Sequence, residues 1–252
     1  MTAACLLVLI PTYDEVANIE SLIGRLRAAV PDADILVVDD ASPDGTGAVV
    51  EQMAAGDSQL HLLSRGRKQG LGAAYVAGYA WGLERHYQVF VQMDADGSHS
   101  PEQLPGLLKA LTNADLVLGS RWISGGSVVN WPRRRMLLSR AGNGYTRGLL
   151  ALPVHDATGG FRVLRRATVE RLDLQSVASA GYSFQVDVVH RAVRAGCRVV
   201  EVPISFVERE RGVSKMSKSV VCEALWRVTG WGLVRRGSDV RDVLSKARRR
   251  MV

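Results

Sequence analysis

Residues 89–98 read Val-Phe-Val-Gln-Met-Asp-Ala-Asp-Gly-Ser, an apolar run that ends on two carboxylates, Asp94 and Asp96, one residue apart. The run has the character of a buried strand, and in open α/β sheets ligands sit in the crevice beyond the carboxyl ends of strands. Two carboxylates placed there repel each other and lose hydration unless a cation joins them. A hard divalent ion such as Mg²⁺ or Mn²⁺, sharing its shell between carboxylates and diphosphate oxygens, meets that need. The plainer alternative is a solvated turn capping the next helix, for which Ser100-Pro101-Glu102 supplies a start. The spacing alone does not choose between the two.

Outward from this strand, apolar runs recur at Cys5–Ile10, Ile35–Val38, Leu60–Leu63 and Asp115–Gly119. Between them lie helical patterns at Asn18–Val30, 45–55, Gly70–His86 and Pro101–Leu111. Strict β-α alternation over the first 120 residues predicts an α/β fold of Rossmann-like type, a mainly parallel sheet flanked by helices. Beyond it the pattern loosens. Trp122–Pro132 reads as a Gly-rich loop, Met136–Leu152 and Phe184–Ala195 as helices, and Arg198–Val202 as a strand. The composition then divides the chain into a catalytic domain, 1–215, and a C-terminal amphipathic helical tail, 216–252. In that tail Val220, Val221, Ala224, Leu225, Val228, Trp231 and Leu233 form an apolar face among arginines.

The net charge is +7 and the isoelectric point about 9.7, with arginines clustered at 133–135, 165–166, 235–236 and 248–250. Such clusters suit phosphate groups or an anionic membrane surface. No helix-turn-helix, zinc-finger or RNP-type aromatic pattern is present, so nucleic acid is not an expected partner. Three scattered cysteines read as free thiols of a reducing compartment, and no apolar stretch approaches membrane-spanning length. The expectation is a cytoplasmic protein, peripheral on the inner face of the plasma membrane.

Four segments converge on the sheet edge that carries Asp94 and Asp96. Pro11-Thr-Tyr-Asp-Glu15 follows the first strand and offers a ring (Tyr13) and a carboxylate (Glu15) to a nucleotide base. Asp39 and Asp40 follow the second strand, where an acid commonly meets a ribose or base edge. Arg121 and Arg133–Arg135 provide cations, and Ser139 a hydroxyl, for a second phosphate. That need is real: two unit negative charges about 5 Å apart at an effective dielectric near 20 repel by about 3 kcal/mol. Finally, Phe206 to Lys215 sets a glycine among basic residues, the composition of a loop that closes on phosphate. A capping turn or a solvated basic face remains the alternative for each segment alone.

The motifs IPTYDEVANI, VVDDASPDGT, MDADGSHSPE, GSRW, NWPRRRMLLSR, ATGGFRVLRR, YSFQVDVV and EVPISFVERERGVSKMS occur in this order over residues 5–217. In that order they resemble the dolichol- and polyprenol-phosphate mannosyltransferases, glycosyltransferase family 2 enzymes of the GT-A fold. The arginine-rich composition is closest in style to the actinobacterial polyprenol monophosphomannose synthases. The resemblance implies inverting transfer of mannose from GDP-mannose to a polyprenyl phosphate. It implies that Pro11, Tyr13, Glu15, Asp39, Asp40, Arg209 and Lys215 bind the nucleotide sugar and that Asp94 and Asp96 hold Mg²⁺ or Mn²⁺. Arg121, Arg135 and Ser139 would bind the acceptor phosphate and, with the two aspartates, form the catalytic set. Ser98 stands where some relatives carry Gln, a shorter side chain that would reach the metal directly or through water. A membrane-embedded, acyltransferase-like partner is a further expectation. A transferase using UDP-glucose or another donor, and a non-catalytic nucleotide-binding scaffold, are the competing readings.

Overall fold

The computed structural model describes residues 6–174, 182–208 and 225–233. Strands β1 (Leu6–Thr12), β2 (Asp34–Asp39), β3 (Leu60–Ser64) and β4 (Val89–Gln92) alternate with helices α1 (Val16–Ala29), α2 (Thr46–Ala54) and α3 (Leu71–Glu84). There follow α4 (Leu104–Ala110), β5 (Leu116–Ser120), β6 (Ser127–Val129), α5 (Arg133–Leu150), β7 (Arg162–Arg165), α6 (Arg166–Arg171), α7 (Tyr182–Arg194), β8 (Val199–Pro203) and β9 (Ser205–Val207). Seven strands form one sheet in the order β3-β2-β1-β4-β7-β5-β8. All its pairings are parallel except those of β7, which runs antiparallel to both β4 and β5. Strands β6 and β9 pair separately as a short parallel ribbon.

The central strands are apolar on both faces because helices cover both. Leu7 and Leu9 of β1 face a core shared with α3 and α7, and Val8 and Ile10 face the core shared with α1, α2 and α4. In α1 the buried residues Ile19, Leu22, Ile23 and Leu26 follow helical spacing. Helix α3 lies close on the sheet through Gly82, where a Cβ would come within 2.5 Å of the Phe90 ring. The strand order reverses between β1 and β4, and this switch point carries the Pro11–Glu15 and Asp94–Asp96 segments.

Three expectations change. The unbroken helix over Pro101–Leu111 is instead a 3-10 turn at Pro101–Gln103, the short α4 and a second 3-10 turn at Leu111–Asn113. Pro105 has no N–H to offer the carbonyl four residues back, so a regular α-helix cannot start from Pro101. The Trp122–Pro132 loop contains β6, too short to show a period in sequence. Strand β7 was not anticipated. Residues 225–233 are helical and pack on the domain. Val228 is buried in its core, Trp231 stacks on His190, and Tyr145 hydrogen-bonds Thr229. The rest of the predicted tail lies outside the described residues, as do Cys5 and Cys222, whereas Cys197 is a buried free thiol. Among the described residues no helix is long and apolar enough to cross a membrane.

Candidate active site

Strand β4 delivers Asp94 and Asp96 to the crevice by ending just before them. The turn that follows reverses direction at Gly97, whose φ of +75° suits glycine. The backbone N–H of Ser98 donates to Asp96 Oδ1 at 3.0 Å. Asp94 accepts a long hydrogen bond from the Tyr75 hydroxyl at 3.4 Å. Its own N–H donates to His99 Nδ1 at 3.2 Å, which places any proton of a neutral His99 on Nε2. Burial lowers the His99 pKa despite the nearby Asp94 and Asp96, so this ring stays neutral. Burial likewise raises the Tyr75 hydroxyl, with Asp94 adding to the effect, and it remains a donor.

Beside this pair Gly160 is required to lack a side chain, since a Cβ there would approach the two Asp94 carboxylate oxygens to 3.0 and 3.1 Å. The Gly-Gly turn is held by Arg162, a fully buried cation whose three nitrogens donate to the carbonyls of Gly159, Gln185 and Ala157 at 2.7–2.8 Å. Burial lowers its pKa to about 10, which still leaves it charged at neutral pH. Among the described residues no group of three or more His, Cys, Asp or Glu side chains is arranged to hold a metal ion. With two carboxylates alone, Asp94 and Asp96 fit a hard cation only where substrate phosphate and water complete its shell. Ser98, the third expected ligand, is 2 % exposed, and its carbonyl accepts the Val207 N–H.

At the neighbouring strand ends the expected nucleotide residues are already engaged. Asp39 accepts the hydroxyls of Thr12 and Ser42 and the Ser42 N–H. Asp40 pairs with Arg65 at 2.6 Å and accepts the N–H groups of Gln69 and Gly70 at the start of α3. These two carboxylates hold loops first, and any nucleoside contact must use their remaining lone pairs. Pro11 is half-buried in β1, and Tyr13 lies beneath Lys68, whose Nζ is 3.5 Å from the ring centroid. Glu15 is buried, and its carboxylate accepts the Asn18 amide.

The second half of the site is a cavity of about 410 Å³ whose lining is of three chemical kinds. Asp94 and Asp96 are carboxylates, Arg121, Arg135 and Ser139 are groups that bind phosphate, and Leu138, Tyr145, Val186, Leu225 and Val228 are apolar or aromatic. Arg135 and Ser139 lie four residues apart on α5 and so share a face. Arg121 is buried in a two-pronged pair with Asp156, at 2.7 Å from Nε and from Nη2. Burial alone would raise the Asp156 carboxyl, but Arg121 outweighs it and holds the carboxyl below the usual range. Arg135 pairs with Glu208 at 2.5 Å and lies over the Trp131 ring, 4.1 Å from its centroid. Arg209 and Lys215 lie outside the described residues.

Sequence reasoning missed Tyr75, His99, Asp156, Arg162 and Glu208. Asp156 carried one usable signal, an acid just ahead of the Gly159-Gly160 turn in a chain whose cavity arginine needs a buried counter-ion.

Residues 7–173 match the profile of Glycosyl transferase family 2. The chain belongs to this family. Its relatives include an undecaprenyl-phosphate mannosyltransferase of Micrococcus luteus, 54 % identical over 93 % of this chain and 97 % of that one. A polyprenol monophosphomannose synthase of Mycolicibacterium smegmatis is 52 % identical over 94 % and 91 % of the two chains. The fold is GT-A, as in two solved structures. A Mycobacterium tuberculosis glucosyl-3-phosphoglycerate synthase with Mn²⁺ and UDP aligns at TM-score 0.65, 21 % identity, over 93 % of this chain and 81 % of that one. A Pyrobaculum calidifontis mannosyltransferase with GDP-Man and Mn²⁺ aligns at TM-score 0.58, 20 % identity, over 92 % of this family 2 chain and 63 % of that one.

Proposed function

We propose that this chain is a metal-dependent inverting glycosyltransferase that moves mannose from GDP-mannose to a polyprenyl phosphate, giving a polyprenol phosphomannose. The observation that carries the reading is the mixed lining of this one cavity. Its carboxylate pair suits a metal-bound diphosphate, its arginines and serine suit a second phosphate, and its apolar side chains suit the first isoprene units. The names and high identity of the two bacterial relatives support the donor sugar and the acceptor class.

Asp94 and Asp96 would hold Mg²⁺ or Mn²⁺, which when bound offsets the charge growing on the departing diphosphate. Tyr75 and Gly160 set the direction of Asp94. Arg135 and Ser139 bind the acceptor phosphate, and Arg121, locked on Asp156, supplies positive potential beside it. A phosphate oxygen attacks the anomeric carbon as the bond to the diphosphate breaks, with inversion. The acceptor is already an anion at neutral pH, so no general base is needed.

The membrane carries the acceptor, and of the exposed apolar residues Leu137, Leu138, Leu225, Trp226 and Leu233, on the helix α5 and on 225–233, Leu138 and Leu225 line the cavity. Arg133, Arg134 and Arg140 of α5 are exposed as well. This composition suits peripheral contact with an anionic bilayer. No observation supports the expected membrane-embedded partner, and it forms no part of the proposal.

The test is a donor panel with the purified full chain, Mn²⁺ and a short polyprenyl phosphate. Mannosyl lipid should form from GDP-mannose and cease in excess EDTA. Preferential use of UDP-glucose would overturn the donor, and absence of turnover with every donor would favour a nucleotide-binding scaffold.

A further inference from the structure

Both cavity arginines already have a carboxylate partner, and the two pairs are built differently. Asp156 is fully buried, meets Arg121 through both oxygens and also accepts its backbone N–H. That pair cannot open without stranding a buried charge. Glu208 meets Arg135 through one oxygen at 2.5 Å, and its side chain is 32 % exposed. The Glu208 N–H donates to Val129 O, so the β6-β9 ribbon keeps the backbone in place while the side chain is free to turn. Arg135 is steadied independently by the Trp131 ring, and its buried Nε has no hydrogen-bond partner. The guanidinium is thus fixed, only partly used, and covered by a removable anion.

We propose that Glu208 tunes how readily the acceptor-phosphate subsite at Arg135 is occupied and vacated. It serves as the resident counter-ion of Arg135, yields it to the phosphate monoester of the acceptor, and reclaims it from the phosphodiester product. This rests on the reading of Arg135 as an acceptor-phosphate ligand. A phosphate monoester carries about −1.5 to −2 near pH 7 and outcompetes a carboxylate for a guanidinium. Transfer of the sugar turns the monoester into a diester with a single charge. Glu208 then matches the product in charge and, being tethered beside Arg135, holds the advantage of effective concentration. Neutral alcohols never open the pair. The cost of displacing Glu208 lowers the apparent affinity of every anion, and only the monoester binds well enough to bear it.

The experiment is calorimetry on the full chain with GDP and Mn²⁺, using a short prenyl phosphate and its methyl diester as probes. Glu208→Gln and Glu208→Ala should each bind both probes about fivefold more tightly, the upper end expected of a partly exposed ion pair. Turnover by these variants should show stronger inhibition by the diester. Arg135→Ala should weaken the monoester, and adding Glu208→Gln to it should give no gain. If both Glu208 variants bind the monoester no better than the unmodified chain while Arg135→Ala still weakens it, Glu208 is only a tether between β9 and α5. The proposal then fails and the reading of Arg135 stands. If Arg135→Ala leaves monoester affinity unchanged, the reading of Arg135 fails and takes the proposal with it. A tether alone lowers the melting temperature without raising affinity, which separates the two roles.

Discussion

At the end of β2 the carboxylates of Asp39 and Asp40 are buried and each held by several internal donors, whereas Arg135 and Ser139 on α5 are half-exposed. Asp39 has three donors and Asp40 has two backbone N–H groups and Arg65, but Arg135 has Glu208 alone through its Nη1. One side is a finished mould for a ligand that arrives from water with a fixed shape. The other is a cationic and apolar shelf for a ligand whose head is charged and whose tail stays in lipid. Preorganisation serves the first, and adaptable contact serves the second.

Asp96→Ala should cut transfer by about a thousandfold or more, the scale expected when charge stabilisation at a leaving group is lost. Its melting temperature should fall only slightly, since the lost bond from the Ser98 N–H is worth about 0.5–1.5 kcal/mol. A large drop in melting temperature would make Asp96 a structural residue. Asp156→Asn should instead destabilise the fold by about 3–5 kcal/mol, read from urea unfolding, because it strands Arg121 as a buried charge. The Asp156 carboxyl titrates lower folded than unfolded, so the pair's stabilisation is present above the unfolded value, near 4, and is lost as pH falls through the folded one.

On the acceptor side, Arg135→Ala should weaken lipid-phosphate binding by about ten- to a hundredfold, the range of a charge-assisted hydrogen bond, and leave GDP affinity intact. An equal fall in both would move Arg135 to the donor side. Gly160→Ala should lower Mn²⁺ affinity about tenfold by pushing Asp94 aside, as disturbed support of a metal ligand does. Manganese titration followed by paramagnetic resonance measures this, and unchanged affinity would show that Asp94 has room to yield. The smallest effect should come from the paired change Leu137→Ser and Leu138→Ser, a few-fold loss in flotation with anionic vesicles and no change in GDP binding. Flotation equal to that of the unmodified chain would remove α5 from the bilayer contact.

The same contrast explains what could be read in the sequence. The first half was legible because buried parallel strands are long apolar runs and their ends are marked by acids, as at Asp39, Asp40, Asp94 and Asp96. The second half hid its architecture. Strand β7 reads Arg-Val-Leu-Arg, and its inward Arg162 breaks the apolar pattern because the residue is solvated by three backbone carbonyls instead of by water. Strands β6 and β9 have three residues each and carry no period. The positions of Arg135 and Ser139 were readable from helical spacing, but their neighbours Asp156 and Glu208 were not, since an ion pair between distant segments leaves no local mark.

The reversed strand β7 also sets a timetable for the growing chain. Val89 of β4 pairs with Arg165, and β5 lies between β7 and β8. While the first 120 residues leave the ribosome, β3, β2, β1 and β4 can assemble, but β4 keeps a bare edge and β5 has nothing to join. An unpaired apolar edge is where nascent chains stick to one another or recruit chaperones. Only after Arg165 emerges can the sheet close, and the same event brings Gly160 against Asp94. Asp94, made in the early half of the chain, thus meets its neighbour Gly160 only once the later half has emerged.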